Sequence, residues 1–150
     1  MKIVFTLLTL ATTLSVANAQ TVKETEVPNP VKEALKKQYP AAQVEKWEKE
    51  GANFEAEFHV NKIETCAVYD SNGKFIESEI EIKETELPKA IADYVTKNLS
   101  GKKIKESAKI TDAAGKVSYQ AEIDNIDYIF DSNGSMLKKE EEKEQDSDKD

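Results

Sequence analysis

The sequence predicts an α+β fold made of two tandem repeats, each a helix followed by a four-stranded antiparallel meander. Three observations lead there. Val68-Tyr69-Asp70-Ser71-Asn72-Gly73-Lys74-Phe75-Ile76 returns as Ile129-Phe130-Asp131-Ser132-Asn133-Gly134-Ser135-Met136-Leu137, with the four turn residues identical at an offset of 61. Leu87-Pro88 repeats Val27-Pro28 at an offset of 60, and Ile91, Val95, Leu99 and Ile104 then fall on the positions of Val31, Leu35, Tyr39 and Val44. In each half the apolar period changes from that of a helix to strict alternation, as in strands with two unlike faces.

Taken in order, residues 1–19 read as a secretory signal: a basic start at Lys2, an apolar run from Ile3 to Leu14 and the small-residue exit Ala17-Asn18-Ala19 before Gln20. With no cysteine near that exit the exported chain is expected to carry no lipid anchor, and no second apolar run approaches the length of a membrane span. The expected location is periplasmic or secreted. Residues 20–26 are a polar, flexible lead-in.

Repeat one covers about 27–84. Asn29-Pro30 opens a helix that runs to about Tyr39, with Val31, Ala34, Leu35 and Tyr39 on one face and Pro40 as its stop. Strands follow at about 43–49, 53–60, 63–70 and 74–82, separated by Glu50-Gly51-Ala52, Asn61-Lys62 and Ser71-Asn72-Gly73. Repeat two covers about 87–138, with strands at about 102–111, 116–124, 126–131 and 135–139. Both Asp-Ser-Asn-Gly stretches suit turns, in which Asp caps and Asn and Gly accept positive φ. A calcium loop would need a bidentate Glu that does not follow at the required distance. Residues 139–150 hold no apolar side chain to bury and read as an acidic, solvated, disordered tail.

Composition narrows the function. The formal charge is −8, and loss of Lys2 with the leader makes it one unit more negative. Every basic residue is lysine, so no guanidinium fork is available for phosphate. Nucleic-acid binding and membrane insertion are not expected. Cys66 stands alone and forms no internal disulfide.

Val27-Pro28 ahead of a helix ending in Tyr39-Pro40, then Trp47, Phe54-Glu55-Ala56-Glu57-Phe58, Tyr69-Asp70-x-x-Gly73, Leu87-Pro88 and Phe130-Asp131-x-x-Gly134 resemble the PepSY-like, beta-lactamase-inhibitor-like family of small exported bacterial proteins. The resemblance spans about residues 26–138. It implies helices packed on one face of the sheet, with the other face open and somewhat concave. It also implies binding or inhibition of a protein or peptide partner, a peptidase among the candidates.

On that frame, alternation puts Phe54, Ala56 and Phe58 with Tyr119, Ala121, Ile123 and Tyr128 on the helix-covered face. Glu55, Glu57, His59, Glu64, Glu77, Glu79, Glu81, Glu122 and Asp124 then fall on the open face, which is densely acidic. Phe75 is expected at its margin. Trp47 is a candidate anchor, or a cap over the end of the core. These residues together are the expected surface for a basic protein or peptide. The alternative is a binder of small cationic ligands or divalent ions. No cofactor is implied, a monomer is favoured, and catalysis is not expected. His59 is the sole histidine, and no nucleophile, base and orienting group can be assembled around it.

Overall fold

A computed structural model describes residues 19–141. The elements run Gln20–Val22 (β1), a 3₁₀ turn at Glu24–Glu26, Asn29–Gln38 (α1), Gln43–Glu50 (β2), Asn53–Val60 (β3), Ile63–Asp70 (β4) and Phe75–Glu81 (β5). A second 3₁₀ turn at Glu84–Glu86 leads into Lys89–Asn98 (α2), Glu106–Asp112 (β6), Val117–Ile123 (β7), Ile126–Asp131 (β8) and Met136–Glu141 (β9).

All nine strands belong to one antiparallel sheet in the order β1 to β9. This corrects the expected fold of two helix-plus-four-strand repeats. The lead-in supplies an extra strand, β1, whose Val22 lies opposite Trp47. The sheet also runs on where a repeat boundary was expected, because β5 pairs with β6 from Glu77↔Asp112 to Glu81↔Ala108. Among the described residues α-helix is confined to two ten-residue segments, and strand predominates. The open face is corrected as well, since Glu55, Glu64 and Glu79, expected on it, are all buried. Periodicity reports which residues are strand; it does not report which strands pair across a long connection, nor what lies over a face.

The leader at 1–19 lies outside the described residues except for Ala19, as does the predicted tail beyond Glu141. Of that tail, residues 139–141 belong to β9.

The chain packs as two compact units, one of residues 19–82 and 108–117, the other of residues 83–107 and 118–141. In the first, Val31 and Leu35 of α1 sink into a cluster with Trp47, Phe54, Phe58 and Tyr69. α1 forms because Pro28 and Pro30 fix φ at its start, its apolar residues recur at helical spacing, and Lys36 and Lys37 favour its carbonyl end. Tyr69 Oη then donates to Gln38 Oε1 at 3.0 Å, tying β4 to the last turn of α1. In the second unit, Ile91 and Val95 of α2 are buried, and Tyr94 meets the edge of Phe130 with centroids 5.2 Å apart.

The tips obey turn chemistry. Asp70 Oδ1 accepts the N–H groups of Asn72 and Lys74 at 2.8 and 3.0 Å, and Asp131 Oδ1 accepts those of Asn133 and Ser135 at 2.9 Å each. One carboxylate oxygen of each Asp is therefore engaged by the N–H groups of its own turn.

Candidate binding face

Antiparallel pairing without a break aligns β3 on β4 from Asn53↔Asp70 to Val60↔Ile63. One parity therefore lines up across the strands: Glu57 opposite Cys66, Cys66 opposite Glu79; Glu55 opposite Val68, Val68 opposite Glu77, Glu77 opposite Asp112. β2 extends both rows, with Lys46 opposite Glu57 and Glu48 opposite Glu55. The result is a band of carboxylates on one face of the first unit. Glu55, Glu64 and Glu79 are buried within it, Glu57, Glu77 and Glu81 are half-buried, and His59 sits opposite Glu64 at the end of β3.

Two irregularities decide what else joins the band. Between Val44 and Lys46 the register of β2 shifts, so Val44 and Trp47 both face the helix side, opposite Phe58 and Ala56. The displaced residue, Glu45, brings Oε1 to 2.9 Å from His59 Nδ1. A second shift lies between Val68 and Tyr69, where Glu77 and Phe75 become their successive partners. Phe75 is thereby turned to the helix side, edge-on to Tyr69 with centroids 5.8 Å apart, and packs on the core. Phe75 is thus not on the acidic face, and Trp47, 5% exposed, is part of the core rather than an exposed anchor.

The electrostatics follow from this placement. Burial raises the Glu55 carboxyl from its ordinary value of 4.5 to about 8, with the charges of Glu48, Glu50 and Glu57 adding to the rise and Lys46 opposing it. For Lys46, burial pulls downward but is outweighed by Glu48, whose Oε1 is 2.7 Å from Nζ, and by Glu57 and Glu55, so its ammonium is held above the ordinary range. Burial, reinforced by Glu55 and Glu79, keeps the Cys66 thiol protonated, and a protonated thiol is a poor nucleophile.

Glu122 and Asp124 belong to the other unit and have lysine partners of their own. Lys105 Nζ is 2.7 Å from Glu122 Oε1, and Lys102 pairs with Asp124. Nearby, buried Asp127 accepts Gln120 Nε2 at 2.8 Å. Sequence reasoning missed Glu45, Lys46, Glu48 and Glu50, because alternation counted through β2 without its bulge loses their parity. The signal was present: Val44 and Trp47 are both apolar but three apart, as Phe75 and Ile80 are five apart, so neither pair fits one uninterrupted alternation.

Among the described residues no group of three or more His, Cys, Asp or Glu is placed to hold a metal ion. Among them too, no helix is long and apolar enough to cross a membrane.

Comparison with known proteins gives the same architecture. No curated protein matches the chain. Among solved structures, a "putative periplasmic" protein of Bacteroides eggerthii superposes with a TM-score of 0.68 at 19% identity, covering 76% of this chain and 88% of its own. A DUF2874 family protein of Bacteroides uniformis gives 0.64 at 20% identity, over 75% and 88%. A BLIP-like protein of Bacteroides fragilis gives 0.60 at 21% identity, over 81% and 92%. The family model described as "Putative beta-lactamase-inhibitor-like, PepSY-like" matches residues 14–77 and again 61–138. With most of its length under that model, the chain belongs to the PepSY-like, beta-lactamase-inhibitor-like family.

Proposed function

We propose that this is an exported, non-enzymatic binding module that takes a basic protein or peptide on the acidic band of β2–β5. The observation that carries the reading is the cross-strand alignment of Glu77 with Asp112, with Glu57 and Glu81 half-buried on the same face. Like charges set opposite one another oppose pairing, so a sheet that gathers them concentrates negative potential for use outside itself. Half-buried Glu57, Glu77 and Glu81 form the reachable part of the band, and His59 extends it. A Lys- or Arg-bearing segment is the complementary partner. Export is supported by the leader sequence, and by the periplasmic description of a protein that shares the fold. The family's description as beta-lactamase-inhibitor-like supports a binding role without catalysis.

The test is calorimetric titration of the protein with a lysine-rich peptide and with a glutamate-rich control of equal length, at low and at physiological salt. Saturable, salt-sensitive binding of the basic peptide is expected, with at least tenfold loss in a Glu57→Lys/Glu77→Lys variant of unchanged circular dichroism. Equal binding by that variant would remove the acidic band from the site.

A further inference from the structure

We propose that a second site lies on the helix side of the first unit, in the cleft between the first 3₁₀ turn, α1 and β2, and that it takes a small amphipathic carboxylate. The cleft has a volume of about 250 Å³, and Leu35, Tyr39, Val44 and Trp47 give it an apolar lining. That volume falls just under the range usual for drug-sized ligands, so the occupant is an aromatic ring or short alkyl chain bearing one charged group. Trp47 lines the cleft, 5% exposed, and its Nε1 is buried with no hydrogen-bond partner among the described residues. Buried indole N–H groups normally find an acceptor, so this ring can shift toward a ligand without breaking a hydrogen bond of its own.

The charge at this cleft selects the sign of the ligand. Lys32 and Lys36, one turn apart on α1, both line it, against the single carboxylate of Glu24. Lys32 Nζ already reaches toward the Glu24 carbonyl oxygen at 3.5 Å, at the edge of hydrogen-bond range, and is free to swing to a better acceptor. The cleft is therefore locally cationic in a chain of net charge −8. With the register shift between Val44 and Lys46, its lining residues Val44 and Trp47 face the other side of the sheet from Lys46 and Glu48, so it is separate from the acidic band and of opposite charge preference. A ring stacked among Tyr39, Leu35 and Trp47 with its carboxylate toward the two ammonium groups uses the apolar lining and the local charge together.

Trp47 is the only tryptophan, so its emission reports on the cleft directly. The protein is titrated with 3-phenylpropionate, 3-phenylpropanol and 3-phenylpropylamine, followed by Trp47 fluorescence and by calorimetry. A saturable change with the carboxylate is expected, with the alcohol and the amine at least tenfold weaker. A Lys32→Gln/Lys36→Gln variant, altered only on the surface of α1, is expected to weaken the carboxylate about tenfold and leave the alcohol unchanged. No saturable change, equal binding of the three probes, or full carboxylate affinity in the double variant would overturn the site.

Discussion

Gly73 at the first hairpin tip lies against Pro30 at the start of α1: a β-carbon on the glycine would collide with the proline carbonyl oxygen and stand 2.7 Å from its carbonyl carbon. The tip cannot retreat cheaply. Gly73 N donates to Asp70 O at 2.9 Å, and Asp70 Oδ1 holds two further N–H groups of the same turn. Gly73 also has φ +80, a value that any β-carbon opposes.

Gly73→Ala therefore carries two costs, about 1 kcal/mol for the backbone and about 1–3 kcal/mol for the clash. Gly115 separates them, having the same φ of +80 with nothing within 4 Å of the position a β-carbon would take. Urea denaturation is expected to show Gly73→Ala losing about 2–4 kcal/mol and Gly115→Ala about 1 kcal/mol. Equal losses would mean that the tip does not rest on the helix. At the second tip the added carbon would stand 2.5 Å from the methyl of Ala90 and 2.9 Å from its carbonyl carbon, so Ala90→Gly should relieve only part of the Gly134→Ala loss.

These tips were legible because their chemistry is local: Asp, Asn and Gly within five residues specify the turn whatever surrounds it. The same holds for β3 and β4, where Phe54, Ala56 and Phe58 alternate cleanly and are buried in the expected phase. Legibility fails wherever the phase breaks. Alternation with Ile76, Ile80 and Ile82 inward sends Phe75 to the acidic face, but the shift between Val68 and Tyr69 reverses it. It fails again for Glu55 and Glu79, whose charge signals exposure while the structure buries them. The pairing of β5 with β6 spans a helix and two loops, and nothing in either strand names the other.

Lys62 offers a test of turn chemistry in the stabilising direction. Asn61 and Lys62, with φ of 53 and 69, form the two-residue connection between β3 and β4. Both positions of such a turn lie in the left-handed region, which asparagine tolerates and lysine does not. Lys62→Gly is expected to raise stability by about 0.5–1 kcal/mol, the relief of strain being partly offset by the more flexible unfolded chain. Asn61→Gly should do less. A thermal or urea melt of the two variants checks the order.

Glu55 predicts how stability depends on pH. Its carboxyl titrates at about 8 in the folded protein against 4.5 ordinarily, so between those values the folded state binds the extra proton. Stability contributed by this residue is therefore present below about pH 4.5 and declines as pH rises through 8. Its sign is opposite to that of a salt-bridged carboxylate. Glu55→Gln, which keeps the shape without the charge, should flatten the decline and make the variant the more stable protein at pH 8.5, while differing little at pH 4.5. Parallel urea midpoints for the two proteins across that range would show that Glu55 ionises freely.

The lysine pairs of the second unit look alike in sequence and are expected to behave differently. Glu122 is 4% exposed and Lys105 Nζ lies 2.7 Å from it, while Asp124 and Lys102 are both more than half exposed. Removing Lys105 takes a charged donor from a buried carboxylate that cannot recover its hydration, whereas removing Lys102 leaves an aspartate already in water. Lys105→Met is expected to cost about 1–2 kcal/mol, the outward half of its side chain limiting the loss, and Lys102→Met to leave the urea midpoint unchanged. Pairing Lys105→Met with Glu122→Gln should return most of the loss, since the neutral amide no longer calls for a cation. A double variant no more stable than Lys105→Met alone would mean that Lys105 supports the sheet by packing its stem and not by its charge.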